Sequence, residues 1–119
     1  MTLDLSSYEK EDYCYLTTRG RVTGNPHQIE IWFVVHAGAL YLMSGGMDKS
    51  DWVKNLLKEP QVTLRIAGQT FPALARVQPD MDDAIIRTLM ADKYRERESD
   101  GSLSEWAQTA LVVQFTPAL

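Results

Sequence analysis

The sequence predicts a mainly β fold, a small barrel of about six antiparallel strands with two to three helices, two of them plugging the openings. Three observations carry this. Short apolar or alternating runs recur along the chain, separated by turn residues such as Gly20, Gly24, Gly38 and Gly68. Their order reads β-β-β-α-β-β-α-β, in which hairpins between sequential strands dominate. Finally, 119 residues with 45% hydrophobic content suit a single domain, residues 1–119, with one proper core.

Each element has its own reason. Tyr8 to Asp12 is acidic and reads as a short helix leading into the fold. Tyr13 to Arg19, aromatic and β-branched, reads as the first strand, and residues 20–26, with two glycines, Asn25-Pro26 and Arg21, as a hairpin loop. His27 to Val35 begins with alternation and ends as a continuous apolar run, which predicts a strand buried on both faces at one end. His36-Ala37-Gly38 turns the chain into a strand from Ala39 to Met43.

Ser44-Gly45-Gly46 follows as a corner whose glycines allow φ > 0 and close backbone approach. It enters a helix from about Ser50 to Lys58, capped by Ser50 or Asp48 and stopped by Pro60. Gln61 to Ala67 alternates, Gly68-Gln69 turns, and Thr70 to Val77 returns as a strand that Pro72 places at an edge or bulge. Pro79-Asp80 opens a second helix, whose Met81, Ile85, Ile86, Leu89, Met90 and Tyr94 form a broad apolar face for the sheet. Glu96 to Ser104 reads as a mobile charged loop, with a short turn around Trp106, and Thr109 to Thr116 as the last strand.

Charge narrows the partners. The net charge of −4 argues against nucleic acid, where phosphate contacts dominate affinity. Residues 1–12 and 68–119 each carry −3, whereas residues 13–67 carry +2, so positive charge gathers in the segment that holds the glycine corner. No apolar run reaches the roughly 20 residues needed to span a bilayer, and no signal pattern opens the chain, which predicts a cytoplasmic protein. A single cysteine, Cys14, excludes an internal disulfide and reads as buried filler. His27 and His36, without a clustered carboxylate or thiol, make a poor metal site.

The corner itself is the candidate site. A helix start behind glycines directs unpaired amides and a positive dipole end the same way, which suits a small anion. On the helix Trp52, Asn55 and Leu56 share one face. An ordinary strand, turn and helix, with Trp52 as core filler, reads the same way from these residues alone.

Together, however, Leu16-Thr17-Thr18-Arg19-Gly20-Arg21-Val22-Thr23-Gly24-Asn25-Pro26, Ile29-Glu30-Ile31-Trp32, Ser44-Gly45-Gly46, Asp51-Trp52-Val53-Lys54-Asn55-Leu56 and Pro60-Gln61-Val62 resemble the deazaflavin-dependent nitroreductase family. Those enzymes belong to the flavin-binding split barrels of the pyridoxamine phosphate oxidase type. The likeness runs from about Tyr15 to Tyr94. It implies a split β-barrel and coenzyme F-420, a deazaflavin with a phosphate and an acidic tail, as cofactor, with FMN as the alternative. It also implies transfer of hydride to a small acceptor such as a nitro compound, quinone or enone. A homodimer fits, since split barrels often share their groove between two chains.

Carried over, the resemblance implies that Arg21, Thr23 and Gly24 meet the phosphate and tail, where an arginine fork is apt, with Arg19 also in the cofactor-binding set. Ser44, Gly45 and Gly46 would approach the ring through backbone amides, Glu30, Ile31 and Trp32 would run beneath it, and Trp52 and Asn55 would border it; His27 and Lys49 complete the implied cofactor set. The chain departs from the family pattern at Val22 and His27, where a lysine and an arginine are usual, and at Glu30-Ile31, where Pro-Leu is. No residue stands out as proton donor, although Tyr41 or Trp32 would suit an acceptor's oxygen. Arg21→Ala is expected to weaken cofactor binding more than Asn55→Ala. The competing reading is a non-catalytic module that holds a flavin, haem or lipid.

Overall fold

The structure is a computed structural model and describes residues 4–118. Among them seven strands form one antiparallel sheet: β1 (Cys14–Arg19), β2 (Pro26–Ile31), β3 (Val34–His36), β4 (Ala39–Ser44), β5 (Gln61–Ile66), β6 (Gln69–Val77) and β7 (Leu111–Pro117). Three α-helices accompany them, α1 (Asp51–Lys58), α2 (Ala84–Tyr94) and α3 (Glu105–Thr109), with short 3-10 helices at Leu5–Tyr8 and Met47–Lys49.

The strand order β2-β1-β5-β6-β7-β4-β3 explains the shape. β2 and β3 are opposite edges of the sheet, yet only Trp32 and Phe33 separate them in sequence. A link that short spans about 10 Å at most, so the sheet has to curl until its edges nearly meet. The result is a curled half-barrel. This is also why the expected run from His27 to Val35 is two strands: the chain leaves one edge at Ile31 and joins the other at Val34.

Alternation decides the layers. From β1 and β5, Cys14, Leu16, Val62, Leu64 and Ile66 turn inward and build the main core with Phe33, Leu40, Leu42, Phe71, Val113 and Phe115. β4 is buried at all six positions, because Ala39, Tyr41 and Met43 face outward into a second cluster with Ile86 and Met90 of α2. So α1 alone of the three α-helices feeds the inner core, through Leu56, while α2 and α3 lie on the outer face rather than plugging an opening.

Several boundaries differ from the sequence reading. Ala37-Gly38 and Ala67-Gly68 all take positive φ and join paired strand ends, the geometry of a two-residue primed turn; the second turn is therefore one residue earlier than Gly68-Gln69. Pro72 lies in β6, an interior strand, but β7 pairs only as far as Ala73, so its missing donor falls where the neighbouring ladder ends. α2 begins at Ala84, where Asp82 Oδ1 accepts from the Ala84 N–H at 3.1 Å, and is capped by Arg95 in the left-handed region. The segment expected to be mobile is tied: Arg97 pairs with Leu103, and its guanidinium donates to Asp92 at 2.8 Å and to the Gly101 carbonyl at 2.7 Å.

Candidate functional site

The β1–β2 loop is held by a buried amide. Gly20 and Asn25 close it through Gly20 N–H donating to the Asn25 carbonyl at 2.7 Å. Asn55 of α1, 4% exposed, then accepts at Oδ1 from Arg21 Nη1 at 2.8 Å and from the Arg21 backbone N–H at 3.2 Å. Its Nδ2 donates to Thr18 Oγ1 at 3.1 Å. Arg21 Nη2 donates to Asp51 Oδ1 at 3.1 Å, and Lys58 Nζ to the Arg21 carbonyl at 2.7 Å. One helix thereby fixes both the backbone and the guanidinium of the loop.

Between this loop, β2 and the first turn of α1 lies a groove of about 610 Å³, bordered by Gly20, Arg21, Thr23, His27, Trp52 and Asn55 among others. Gly20 makes the close approach that the groove requires, since a Cβ there would sit 2.7 Å from His27 Nε2. Further along β2 a second hollow of about 340 Å³ is lined by Tyr13, Glu30, Ile31, Trp32, Met43, Glu96 and Trp106. Its wall is rigid. Trp32 stacks on Tyr94 with ring centroids 4.4 Å apart and meets Trp106 edge-on at 5.5 Å. The Tyr94 hydroxyl accepts from the Phe33 N–H at 3.0 Å and lies 2.8 Å from the Asp12 carbonyl.

Burial shapes the titratable groups behind this wall. It pushes the Cys14 thiol up to about 12 and the Tyr94 phenol up to about 12. It lowers Lys93, whose Nζ donates to the Phe33 carbonyl at 3.0 Å and stands 3.8 Å from the Phe33 ring centroid. Cys14 is buried and protonated, a packing residue rather than a nucleophile.

Of the residues singled out by sequence, Arg21, Thr23, His27, Trp52 and Asn55 border the groove, and Ile31 and Trp32 the neighbouring hollow. Arg19 and Gly24 border a separate depression with Pro72, Arg19 Nη1 donating to the Gly24 carbonyl at 3.5 Å. The glycine corner is built differently from expectation. Neither Gly45 nor Gly46 takes positive φ; Met47 does, at 58°.

The two glycines serve close packing instead, a Cβ on Gly45 coming within 3.2 Å of Trp106 Cδ1 and one on Gly46 within 2.5 Å of Ser50 Oγ. Ser44 is buried, its hydroxyl donating to the Met47 carbonyl at 2.9 Å and lying 2.7 Å from Ser50 Oγ, so Ser50 makes no side-chain cap. Lys49 is exposed on the 3-10 turn. Tyr41 is 2% exposed, its hydroxyl accepting from Gln114 at 2.9 Å, which removes it as a group that could orient an acceptor. Sequence reasoning missed Thr18, Asp51, Tyr94 and Trp106, whose partners lie far away along the chain, and Glu96, which the fold brings to the hollow.

The sequence matches the F420H(2)-dependent quinone reductase family over residues 5–112. No curated protein matches it. Among solved structures, the chain is similar to an F420 reductase at 16% identity and TM-score 0.68, covering 97% of this chain and 93% of that one. It is similar to an F420-H2 dependent reductase at 15% identity and TM-score 0.68, over 87% and 93% of the two chains. It is also similar to HutZ, a heme storage protein from Vibrio cholerae, at 19% identity and TM-score 0.71, over 100% and 92%. At these identities the structural likenesses speak for the fold.

Proposed function

The chain belongs to the F420H(2)-dependent quinone reductase family, and on that premise we propose that it binds reduced coenzyme F-420 in the groove between β2 and α1 and reduces a small planar acceptor. Family membership makes it an oxidoreductase with F-420 as cofactor. The acceptor class in this reading is a quinone, with nitro compounds and enones as chemically related alternatives. The observation that carries the placement is the tethered Arg21.

The residues present fit a large anionic coenzyme. Asn55 and Asp51 occupy one N–H on each terminal nitrogen of Arg21, so three of its five donors lack a partner among the described residues. A guanidinium held on one side and open on the other is pre-organised for a phosphate or carboxylate. Trp52, half-buried on the groove, offers an aromatic wall, and the Gly20 backbone leaves space that a side chain would fill. When bound, the deazaflavin supplies the hydride. The protein's share is to bind and orient: Arg21 and His27 border the anionic end, Asn55 holds Arg21 in place, and Ile29 and Ile31 give an apolar face toward the hollow beside Trp32. A homodimer belongs to the same reading, since β2, which borders both depressions, is an edge strand; light scattering measures it.

Titration of purified protein with reduced deazaflavin, followed by coenzyme fluorescence, tests the placement. Arg21→Ala is expected to weaken binding about tenfold, the equivalent of about 1.4 kcal/mol, and to reduce its salt dependence. FMN is expected to bind more weakly than the deazaflavin. Absence of deazaflavin binding at about 100 μM, roughly −5.5 kcal/mol, removes the basis of the reading.

A further inference from the structure

We infer that the hollow beside Trp32 is the acceptor subsite and that Glu30 and Glu96 make it select neutral or cationic planar acceptors against anionic ones. The inference rests on the functional reading above and deepens it. Two features of the hollow point to a flat ring as occupant. Trp32 and Trp106 line it with their rings at right angles to one another, and Ile31 and Met43 complete its apolar lining. Trp32 is backed by Tyr94 in parallel contact, so the wall does not have to be ordered when a ring arrives.

Continuity with the groove places the occupant. Ile29 borders the groove and Ile31 the hollow; two residues apart on β2, they share a strand face, roughly 7 Å from one another. A planar molecule in the hollow therefore lies within one ring's width of a ligand in the groove.

Charge sets the selectivity. Glu30 and Glu96 both line the hollow, and among the described residues neither is in salt-bridge contact with a cation. Glu30 has one neutral partner, the Tyr15 hydroxyl, which donates to Oε2 at 3.2 Å. No cationic side chain lines the hollow, so a sulfonate or carboxylate on the acceptor meets two like charges with nothing to offset them.

The test compares menadione, a neutral naphthoquinone, with its sulfonated, anionic counterpart. Binding is read by quenching of tryptophan fluorescence in a Trp52→Phe background, where Trp32 and Trp106 are the tryptophans that remain. Menadione is expected to bind at least tenfold more tightly than the sulfonate. In Glu30→Gln/Glu96→Gln that ratio is expected to fall to within about threefold. Asp80→Asn/Asp82→Asn, which removes the same charge before α2, is expected to keep the original ratio.

Equal affinity for both quinones, or a ratio that falls as far in the Asp80/Asp82 variant, overturns the inference. Deazaflavin binding, measured on the unsubstituted protein, separates the two failures. If it is retained with a flat ratio, only the acceptor assignment falls; if it is lost, the functional reading falls and takes the assignment with it.

Discussion

Asn55 is the residue on which the groove depends most. Truncation to Ala removes the acceptor shared by the Arg21 backbone and guanidinium and strands the buried Thr18 hydroxyl. Leaving such groups unpaired costs about 1–3 kcal/mol of stability, and the Arg21 side chain loses its tether. Asn55→Ala is therefore expected to lower the denaturant midpoint and to weaken deazaflavin binding as well, at least as much as Arg21→Ala, the reverse of the order drawn from sequence. Unchanged stability in urea melts would show the tether to be dispensable. Titration provides a second check at this scale. Burial raises Cys14 from an ordinary 9.0 and Tyr94 from 10.0, each to about 12. Both neutral forms are favoured in the fold, so their contribution is full below about pH 9 and is lost as pH rises toward 12. Lys93, lowered by burial from 10.5, acts in the opposite direction over the range below that value. Alkaline melts are expected to show stability falling above pH 9, with a flatter slope in Cys14→Ala/Tyr94→Phe.

At the scale of elements, the junction between β2 and β3 carries the chain from one edge of the curled sheet to the other, and the end of α2 fastens it. Lys93 and Tyr94 are consecutive, and both reach Phe33: Lys93 donates to its carbonyl, while the Tyr94 hydroxyl bonds its N–H. The bond at Phe33 N–H satisfies a backbone donor that no strand partner reaches at the crossing. Tyr94→Phe keeps the stack on Trp32 and removes only the oxygen. It is expected to cost about 1–3 kcal/mol and to speed amide exchange at Phe33 before it affects β5 or β6. Exchange at Phe33 unchanged from the unsubstituted protein would mean that packing alone holds the junction.

For the whole molecule, ligand and fold are linked because the groove spans elements distant in sequence, the β1–β2 loop, β2 and α1. A coenzyme that binds the folded form alone stabilises it by about 2.7 kcal/mol at a hundredfold excess over Kd. The thermal midpoint is therefore expected to rise with deazaflavin concentration, and to rise less with Arg21→Ala at the same concentration. A midpoint insensitive to deazaflavin would count against the groove. No helix among the described residues is long and apolar enough to cross a membrane.

Much of the fold was legible along the chain because its signals are local. Aromatic and β-branched content located β1, alternation located β5, glycines marked the tight turns to within a residue, Pro60 stopped α1, and the motif from Leu16 to Pro26 with Trp52 and Asn55 marked the loop and the helix that meet at the groove. What stayed hidden was whatever depends on which distant segments touch. The split of His27–Val35 arises from closure of the sheet, and no periodicity within those nine residues records it. Gly45 and Gly46 are small because Trp106 and Ser50 pack against them, a reason invisible to a reading based on backbone freedom. Arg19 and Arg21 look equivalent in sequence; only the fold sets Arg19 on a separate depression and, through the amide of Asn55, holds Arg21 on the groove. Local propensity determined the elements, whereas contacts across 34 to 61 residues determined the site, since burial of a polar group is decided by the partner that tertiary packing brings to it.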